Sequence, residues 1–154
     1  MTIHEVLELQ FTPIAPEHIQ TLEPIEAESY PDPWSAGMFQ QETENAMSRF
    51  YIAISDQHVV GYGGFWLLMD EAHITKITVA QSYRKQGLGT RIMDYLIEQA
   101  EQAGAKTMRL EVRQSNTIAQ AIYARLDFKV VGIRKGYYAR SREDAVVMVK
   151  YITD

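Results

Sequence analysis

The sequence predicts a layered α/β domain in which helices flank a mixed β-sheet. Segments whose apolar residues alternate with a period of two are interspersed along the chain with segments of helical periodicity. No repeat, low-complexity tract or Gly/Ser-rich linker separates them. The 154 residues are 46% hydrophobic and 23% charged, which is the balance of an ordinary globular domain. We therefore expect residues 1–154 to form one domain with enough chain to bury a core.

Seven segments have the alternation, or the β-branched and aromatic residues, that are typical of strands. Gly61, Gly63 and Gly64 lie inside the third segment and indicate a bulge or a close approach of two backbones. In chain order, the predicted strands are residues 5–11, 50–55, 59–69, 72–79, 106–112, 128–133 and 145–152.

The first two predicted helices are placed by proline and serine. Pro16 suits the first turn of a helix, and Pro24 further along predicts a kink or a restart. The proline-rich stretch 30–35 cannot be regular helix. Ser35 at its end suits the N-cap of a short helix over about 36–43.

The third and fourth helices are placed by their apolar faces and caps. The third follows a glycine-containing turn and ends near Gly104, a residue type that favours helix C-termini. The fourth is capped by Ser115 or Asn116 and runs to about residue 126. The predicted buried faces are Leu88, Ile92, Leu96 and Ala100 in the third helix, and Ile118, Ile122 and Leu126, or their neighbours, in the fourth.

Composition argues against several classes of protein. The chain has no cysteine, which excludes a disulfide framework, a cysteine zinc site and a thiol nucleophile. Its 15 basic and 20 acidic residues give a net charge of −5, which argues against broad charge-driven binding of nucleic acid. No apolar run approaches the roughly 20 residues that span a bilayer, and the N-terminus does not resemble a signal peptide. We therefore expect a cytoplasmic protein with no metal, membrane segment or nucleic-acid partner.

The most informative motif lies between the fourth strand and the third helix, where Arg84-x-x-Gly87-x-Gly89 forms a turn. A helix N-terminus presents unpaired N–H groups and the positive end of its dipole, and glycine lets a phosphate approach the backbone. Arg84 and Lys85 add positive charge to an acidic protein. The alternative is a surface turn with two solvated cations. The spacing matches neither a Walker A loop nor a dinucleotide fingerprint.

The turn and the strand before it, which ends Ile77-Thr78-Val79, resemble the acetyl-CoA-binding motif of the GNAT superfamily of N-acetyltransferases. The resemblance covers nearly the whole chain, including the segment 121–128 after the fifth strand. It implies the GNAT fold, a mixed and mostly antiparallel central sheet flanked by helices, with acetyl-CoA as co-substrate. The implied cofactor-binding residues are Ile77, Thr78, Val79, Arg84, Lys85, Gln86, Gly87, Leu88, Gly89, Thr90, Asn116 and Tyr123.

Each group of implied cofactor residues has a role. The main chain of 77–79 would pair with the pantetheine arm, and the turn 84–90 would hold the pyrophosphate. Ordinary strand packing is the alternative for Ile77 and Val79, and helix capping alone would explain Asn116.

Four further features resemble the bacterial ribosomal-protein-alanine N-acetyltransferases. Two positions depart from that pattern: Asp127 replaces a glycine expected in left-handed backbone, which Asp tolerates, and Gly136 replaces an asparagine before a tyrosine pair. The four features are Pro33-Trp34-Ser35 with Phe39, Leu110-Glu111-Val112-Arg113 followed by Ser115-Asn116, Arg134 with Tyr137-Tyr138, and Glu143-Asp144-Ala145 with Met148.

The resemblance implies that Glu111 is the general base, acting through water, and that Tyr123 is the general acid. Because Glu111 lies in a strand and Tyr123 on the helix that follows, both can face one cleft. The alternatives are a solvated strand glutamate and a core tyrosine, with His73 and Glu71 as rival bases. Without cysteine, direct transfer from cofactor to amine is favoured over an acetyl-enzyme.

The acceptor is expected to be an α-amine. At pH 7 about 10% of α-amines but about 0.04% of lysine amines are neutral, so a weakly basic pocket favours N-termini. The resemblance implies the N-terminal alanine of a small-subunit ribosomal protein, with Trp34, Tyr137 and Tyr138 as peptide-site residues. Trp34 alternatively anchors the core, and only one of the adjacent tyrosines is expected to line the cleft.

Two other functions stay open at this point. A small-molecule amine or lysine acetyltransferase of the same superfamily would share the cofactor motif. A non-catalytic acetyl-CoA-binding module would not need Glu111 and Tyr123. The sequence does not predict the oligomeric state.

Overall fold

A computed structural model describes residues 7–152 and forms a seven-stranded mixed sheet flanked by helices. The elements are β1 (Gln10–Pro13), α1 (Ile19–Ser29), α2 (Ala36–Glu44), β2 (Ser48–Ser55), β3 (His58–Leu68), β4 (Glu71–Val79), α3 (Leu88–Gln102), β5 (Thr107–Arg113), α4 (Thr117–Arg125), β6 (Lys129–Tyr138) and β7 (Glu143–Tyr151). The strand order is β1-β2-β3-β4-β5-β7-β6, and every described pair except β4–β5 is antiparallel. The predicted fold class is confirmed.

The one parallel pair of the described sheet separates part of the way along its length. β4 and β5 are paired from Glu71 opposite Thr107 to His73 opposite Arg109, and their pairing stops there. Both strands continue, β4 still paired with β3 and β5 still paired with β7. Because the strands are parallel, their carboxyl-terminal halves diverge on the same side of the sheet and open a cleft between them.

Two hydrophobic clusters hold the sheet. The larger includes α3, whose predicted face is buried: Leu88, Ile92, Leu96 and Ala100 are all at most 2% exposed. The smaller cluster, beneath α1 and α2, contains a set of aliphatic and aromatic side chains: Ile19, Leu22, Phe39, Phe50, Ile52 and Tyr62. Burial of this kind stabilises by roughly 25 cal/mol per Å² of apolar surface, so these clusters fix the strands that shape the cleft.

The glycines of β3 mark a close approach of neighbouring elements. A Cβ built on Gly61 would lie 2.6 Å from the Thr78 carbonyl oxygen and 2.8 Å from Cδ1 of Ile92. The pairing of β3 with β4 also shifts register between Gly64 and Phe65. The predicted irregularity is confirmed, and it brings β4 and α3 together where the cleft begins.

Two predictions near the N-terminus need correction or restriction. Of the strand predicted over 5–11, residues 5 and 6 lie outside the described residues, and β1 begins only at Gln10 and includes Pro13. A proline is tolerated there because β1 is an edge strand. No restart occurs at Pro24, since α1 continues to Ser29 with Pro24 on its exposed face and Leu22 buried opposite.

At two of its three positions, the buried face of α4 is formed by neighbours of the residues named in the prediction. Ile118 is 78% exposed, because α4 packs against the core through Ala119, Tyr123 and Leu126 instead. The cap of α4 is Asn116 rather than Ser115. Among the helices formed by residues 7–152, none is long and apolar enough to cross a membrane.

Candidate active site

The divergence of β4 and β5 leaves a cleft of about 310 Å³. Residues 74–77 of β4 form one wall, residues 110–113 of β5 form the other, and α4 and the segment before α2 complete it. The side chains that bear on its chemistry are Tyr30, Trp34, Lys76, Glu111, Asn116, Tyr123, Tyr137 and Tyr138. Glu111 and Tyr123 thus lie in the wall of one cleft.

Glu111 is a buried carboxylate among positive groups. Its side chain is 4% exposed, and its Oε2 lies 2.6 Å from Nε2 of His73. Arg134 and Arg109 approach Oε1 to 3.7 and 3.9 Å. Burial raises the pKa of Glu111, but the hydrogen bond and charge of His73, with the two arginines, outweigh it and leave the pKa lowered. Oε1 is buried and accepts no hydrogen bond from the described residues.

The two rival bases therefore have different positions. His73 lies beside Glu111, with its Nε2 2.6 Å from Oε2 of the carboxylate. Glu71 lies at the exposed start of β4, with its Oε1 3.5 Å from Nε of Arg109, outside the cleft wall.

Tyr123 projects from the middle of α4 into the cleft and packs on Phe128, with ring centroids 6.1 Å apart. Burial raises the pKa of Tyr123 to about 12. The phenol is therefore protonated throughout the neutral range. Asp127, just after this helix, has φ +70, which confirms the left-handed conformation expected at that position.

The turn before α3 has the backbone expected of an anion site. Gly87 is the N-cap of α3 and has a left-handed conformation, with φ +77. Because glycine has no side chain, no side-chain hydrogen bond caps the first N–H groups of α3. Lys85 is also left-handed. Arg84 instead folds back, donating from Nε to the Val79 carbonyl at 3.0 Å and from Nη2 to Oγ of Ser29 at 2.9 Å.

The other implied cofactor residues also have partners within the protein. The Ile77 carbonyl accepts a hydrogen bond from the Tyr30 hydroxyl at 2.7 Å, and the same hydroxyl contacts Oγ1 of Thr78 at 2.7 Å. Oδ1 of Asn116 accepts from the N–H of Ala119, so the residue does cap α4. Its amide nitrogen donates no hydrogen bond among those found in the described residues.

The sequence did not indicate a buried ion pair in the floor of the cleft. Glu26 is fully buried and accepts hydrogen bonds from the Tyr62 hydroxyl, the backbone N–H of Trp34 and the ammonium of Lys76. The Lys76 ammonium also lies over the rings of Tyr30 and Trp34, 4.1 and 4.5 Å from their centroids. A glutamate on an amphipathic helix resembles any solvated residue, so no local signal distinguishes Glu26.

Trp34 both anchors the core and lines the cleft, the two roles that the sequence left open. Its ring packs on Phe39 and Phe50 of the smaller core cluster, with centroid distances of 5.3 and 5.9 Å. It also lines the cleft, where it covers Lys76.

The prediction that only one of Tyr137 and Tyr138 lines the cleft is wrong, since both do. Strict alternation fails because Gly136 is left-handed, with φ +63, and the pairing of β6 with β7 shifts between Arg134 and Tyr138. The two rings meet edge to face, 5.1 Å apart. Guanidinium groups lie over both rings, Arg134 over Tyr137 and Arg113 over Tyr138.

The family profile and the relatives that match this chain all belong to acetyltransferases. The acetyltransferase (GNAT) family profile matches residues 19–128. A Bacillus subtilis protein with the provisional name [ribosomal protein bS18]-alanine N-acetyltransferase is 38% identical over 86% of this chain and 88% of its own. The Escherichia coli [ribosomal protein bS18]-alanine N-acetyltransferase is 33% identical over 80% of this chain and 84% of its own.

The fold agrees with this relationship. The crystal structure of the ribosomal-protein-S18-alanine N-acetyltransferase from Escherichia coli superposes with a TM-score of 0.88 at 28% identity, covering 96% of each chain. An Ard1 structure from Thermoplasma volcanium shares the fold with a TM-score of 0.86 at 20% identity, over 95% of this chain and 99% of its own. The diverging strands, the glycine turn before α3 and these relatives lead to one conclusion: the chain belongs to the GNAT family of acetyltransferases.

Proposed function

We propose that this acetyltransferase moves the acetyl group of acetyl-CoA to the N-terminal alanine of ribosomal protein bS18. Residues 1–154 would act as one catalytic domain in the cytoplasm. The observation that carries the proposal is the meeting, in one cleft, of the buried Glu111 carboxylate, whose Oε1 accepts no hydrogen bond within the described residues, and the protonated phenol of Tyr123. The names of the relatives support the choice of substrate.

Three features of the chain fit acetyl-CoA, which supplies the activated acetyl thioester. Beyond His73 the edge of β4 is not paired with β5, so the main chain of 77–79 offers a strand edge to the pantetheine arm. The uncapped N-terminus of α3 and the turn 84–90 offer N–H groups to the pyrophosphate. The side-chain amide nitrogen of Asn116 is a further donor for the cofactor, since only the side-chain oxygen of Asn116 is used in capping α4.

Glu111 serves as the general base. The incoming amine must lose a proton before its lone pair attacks the thioester carbonyl. Oε1 of Glu111 accepts no hydrogen bond within the described residues, since Arg134 and Arg109 stay 3.7 and 3.9 Å away, and it takes that proton through a water molecule. His73, hydrogen-bonded to Oε2, fixes the orientation of the carboxylate.

Tyr123 serves as the general acid. As the nitrogen–carbon bond forms, the carbon–sulfur bond of the thioester breaks. The nitrogen then releases its extra proton to water to become the amide, and the sulfur leaves as a thiolate that needs a proton. Because the pKa of Tyr123 is raised to about 12, the phenol holds a proton to give it. The chain has no cysteine, so the acetyl group passes directly to the amine without an acetyl-cysteine intermediate.

The peptide enters between Trp34 on one side and Tyr137 and Tyr138 on the other. A cleft with a weak base selects the amine that is already most often neutral, which is an α-amine and not a lysine. Glu111, with its lowered pKa, is such a weak base.

The test is mass spectrometry of a panel of ribosomal proteins and peptides incubated with acetyl-CoA and the enzyme. The panel includes the same peptides with blocked N-termini, as well as polyamines and aminoglycosides. We expect acetylation of Ala-initiated peptides and none of their blocked counterparts. Turnover confined to polyamines or aminoglycosides would make the chain a small-molecule acetyltransferase, and binding of acetyl-CoA with no acceptor would make it a non-catalytic module.

A further inference from the structure

A second cavity of about 400 Å³ opens beside the active-site cleft. The two share walls, since Trp34, Ile74, Thr75 and Tyr137 line both. A peptide whose N-terminus lies in the cleft therefore reaches this cavity within its first few residues, because an extended chain advances about 3.3 Å per residue.

The wall of this second cavity contains Glu42, a carboxylate with no cationic partner. Glu42 is 7% exposed, and Nε1 of Trp66 donates to its Oε1 at 3.0 Å and to its Oε2 at 3.3 Å. The hydroxyl of Ser48 adds a long contact of 3.4 Å to Oε1. Within residues 7–152, Glu42 forms no ion pair.

The contrast with the other two buried glutamates is what makes Glu42 informative. Glu26 is paired with Lys76, and Glu111 with His73 and two arginines. Buried charges in proteins are normally paired, because an uncompensated one carries a large desolvation cost. That cost is visible in the pKa of Glu42, which burial raises despite the hydrogen bonds from Trp66 and Ser48.

The rest of the cavity wall suits a long cationic side chain. Trp34, Trp66 and Tyr137 bring aromatic rings to the wall, and the flexible side chain of Met38 adds apolar surface. Aromatic faces attract guanidinium and ammonium groups, and aliphatic stems of lysine and arginine pack on apolar walls. His73 also lines the cavity, but its Nε2 is committed to Glu111.

We propose that this cavity binds an arginine or lysine side chain that follows closely after the N-terminal residue of the acceptor peptide, with the Glu42 carboxylate as its counter-ion. The proposal rests on the proposed peptide N-acetyltransferase function and deepens it. According to the proposal, the cavity makes the enzyme prefer, among Ala-initiated peptides, those with a basic residue soon after the alanine.

The test uses a set of Ala-initiated peptides that carry a single arginine at position two, three or four, each matched with the citrulline peptide. Citrulline keeps the shape of arginine and removes its charge. We measure kcat/KM for acetylation with wild-type enzyme, Glu42→Gln and Glu44→Gln. Glu44 lies on the same helix but is exposed and outside the cavity, so its variant controls for the change of net charge.

For wild-type enzyme we expect arginine to be preferred over citrulline by about tenfold at one position, as for a charge-assisted hydrogen bond. The ratio should fall to about one in Glu42→Gln and stay at the wild-type value in Glu44→Gln. Equal rates at every position in wild-type enzyme would overturn the proposal, and this result requires no variant to fold. An undiminished ratio in Glu42→Gln would overturn it as well.

Calorimetry of the same peptides with the CoA-bound enzyme separates this proposal from the proposed function. If the enzyme acetylates no peptide but still binds the arginine peptide more tightly in a Glu42-dependent manner, the function is wrong and the cavity assignment stands. If the enzyme acetylates peptides without any preference for arginine, the function stands and the cavity assignment is wrong.

Discussion

Three buried glutamates in this chain have three different electrostatic situations. Glu26 is neutralised by Lys76 in the cleft floor, and Glu111 is surrounded by His73 and two arginines. Glu42 has only neutral donors. Sequence patterning treats all three as polar residues, so their functions depend on partners that only the folded chain brings together. The resemblance to a known family singled out Glu111, but nothing in the sequence singled out the other two.

Replacing Glu111 with glutamine should lower kcat by about 10²-fold at pH 7, while acetyl-CoA binding persists. The defect should shrink as pH approaches the pKa of the α-amine near 8, because the substrate then arrives already neutral. A pH–rate profile for the variant and wild type, with binding measured by calorimetry, checks this. Wild-type turnover by the variant would place the base elsewhere.

The substitutions Glu111→Gln and Glu42→Gln should change the free energy of unfolding in opposite directions. The folded pKa of Glu111 is lowered, so its ionised form stabilises the protein above the unfolded pKa near 4.3, and this stabilisation is lost as pH falls through the folded value. The folded pKa of Glu42 is raised, so its ionised form costs stability at neutral pH, and this cost disappears in acid.

Denaturant unfolding at several pH values measures both effects. At pH 7, Glu111→Gln should be less stable than wild type by about 2 kcal/mol, as for loss of a hydrogen bond to a charged group. Glu42→Gln should be the more stable protein at pH 7. Both differences should shrink below about pH 4. A destabilised Glu42→Gln at neutral pH would mean that the carboxylate has a cationic partner in the protein.

Removal of the Tyr123 hydroxyl tests the acid. Tyr123→Phe keeps the ring that packs on Phe128 and should lower kcat by about 10²–10⁴-fold, without loss of stability. Single-turnover kinetics with an Ala-initiated peptide measures the chemical step. An unchanged rate would limit Tyr123 to packing in the cleft wall.

At the scale of elements, the site depends on where regular structure stops. The cleft exists because β4 and β5 lose their pairing after three residue pairs, and both tyrosines face it because β6 is irregular at Gly136. Hydrophobic alternation predicts strands well but assumes ideal geometry. It therefore located the strands approximately, ended the sixth at residue 133 although β6 continues to Tyr138, and failed at Tyr137 and Tyr138, where a left-handed glycine breaks the alternation.

The close packing of β3 on β4 and α3 can be tested with two glycines. Gly61→Ala puts a methyl group 2.6 Å from the Thr78 carbonyl oxygen and should destabilise the protein by about 1–3 kcal/mol. Gly132→Ala, in β6, meets no heavy atom within 4 Å among the described residues and serves as the control, with an effect within about 0.5 kcal/mol. Thermal unfolding compares them. Equal stability of the two variants would show that β3 and β4 have room to separate.

At the scale of the whole molecule, composition and periodicity were enough for the fold class and for most element positions. They did not reveal the order in which the strands lie, because strand neighbours are set by long-range packing. The Arg84 side chain shows the same limit. Its charge suggested a free phosphate-binding group, yet the folded chain ties it to Val79 and Ser29, leaving backbone N–H groups as the more direct anion site.

The net charge of −5 also has a clearer meaning in the folded molecule. The buried glutamates lie around one cleft and the cavity beside it, and Glu42, which forms no ion pair within residues 7–152, is the one that the proposal assigns to a cationic peptide side chain. Association driven by such charges weakens as salt screens them. The acidic surplus therefore agrees with recognition of a basic N-terminal segment.

The central claim is that the cleft acetylates a peptide α-amine, and tandem mass spectrometry tests it most directly. The substrate is one Ala-initiated peptide that also contains a lysine, incubated with acetyl-CoA and either wild-type enzyme or Tyr123→Phe. We expect a single acetyl group on the α-amine with wild-type enzyme and far slower formation of the same product with the variant. Acetylation of the lysine, or of neither amine, would contradict it.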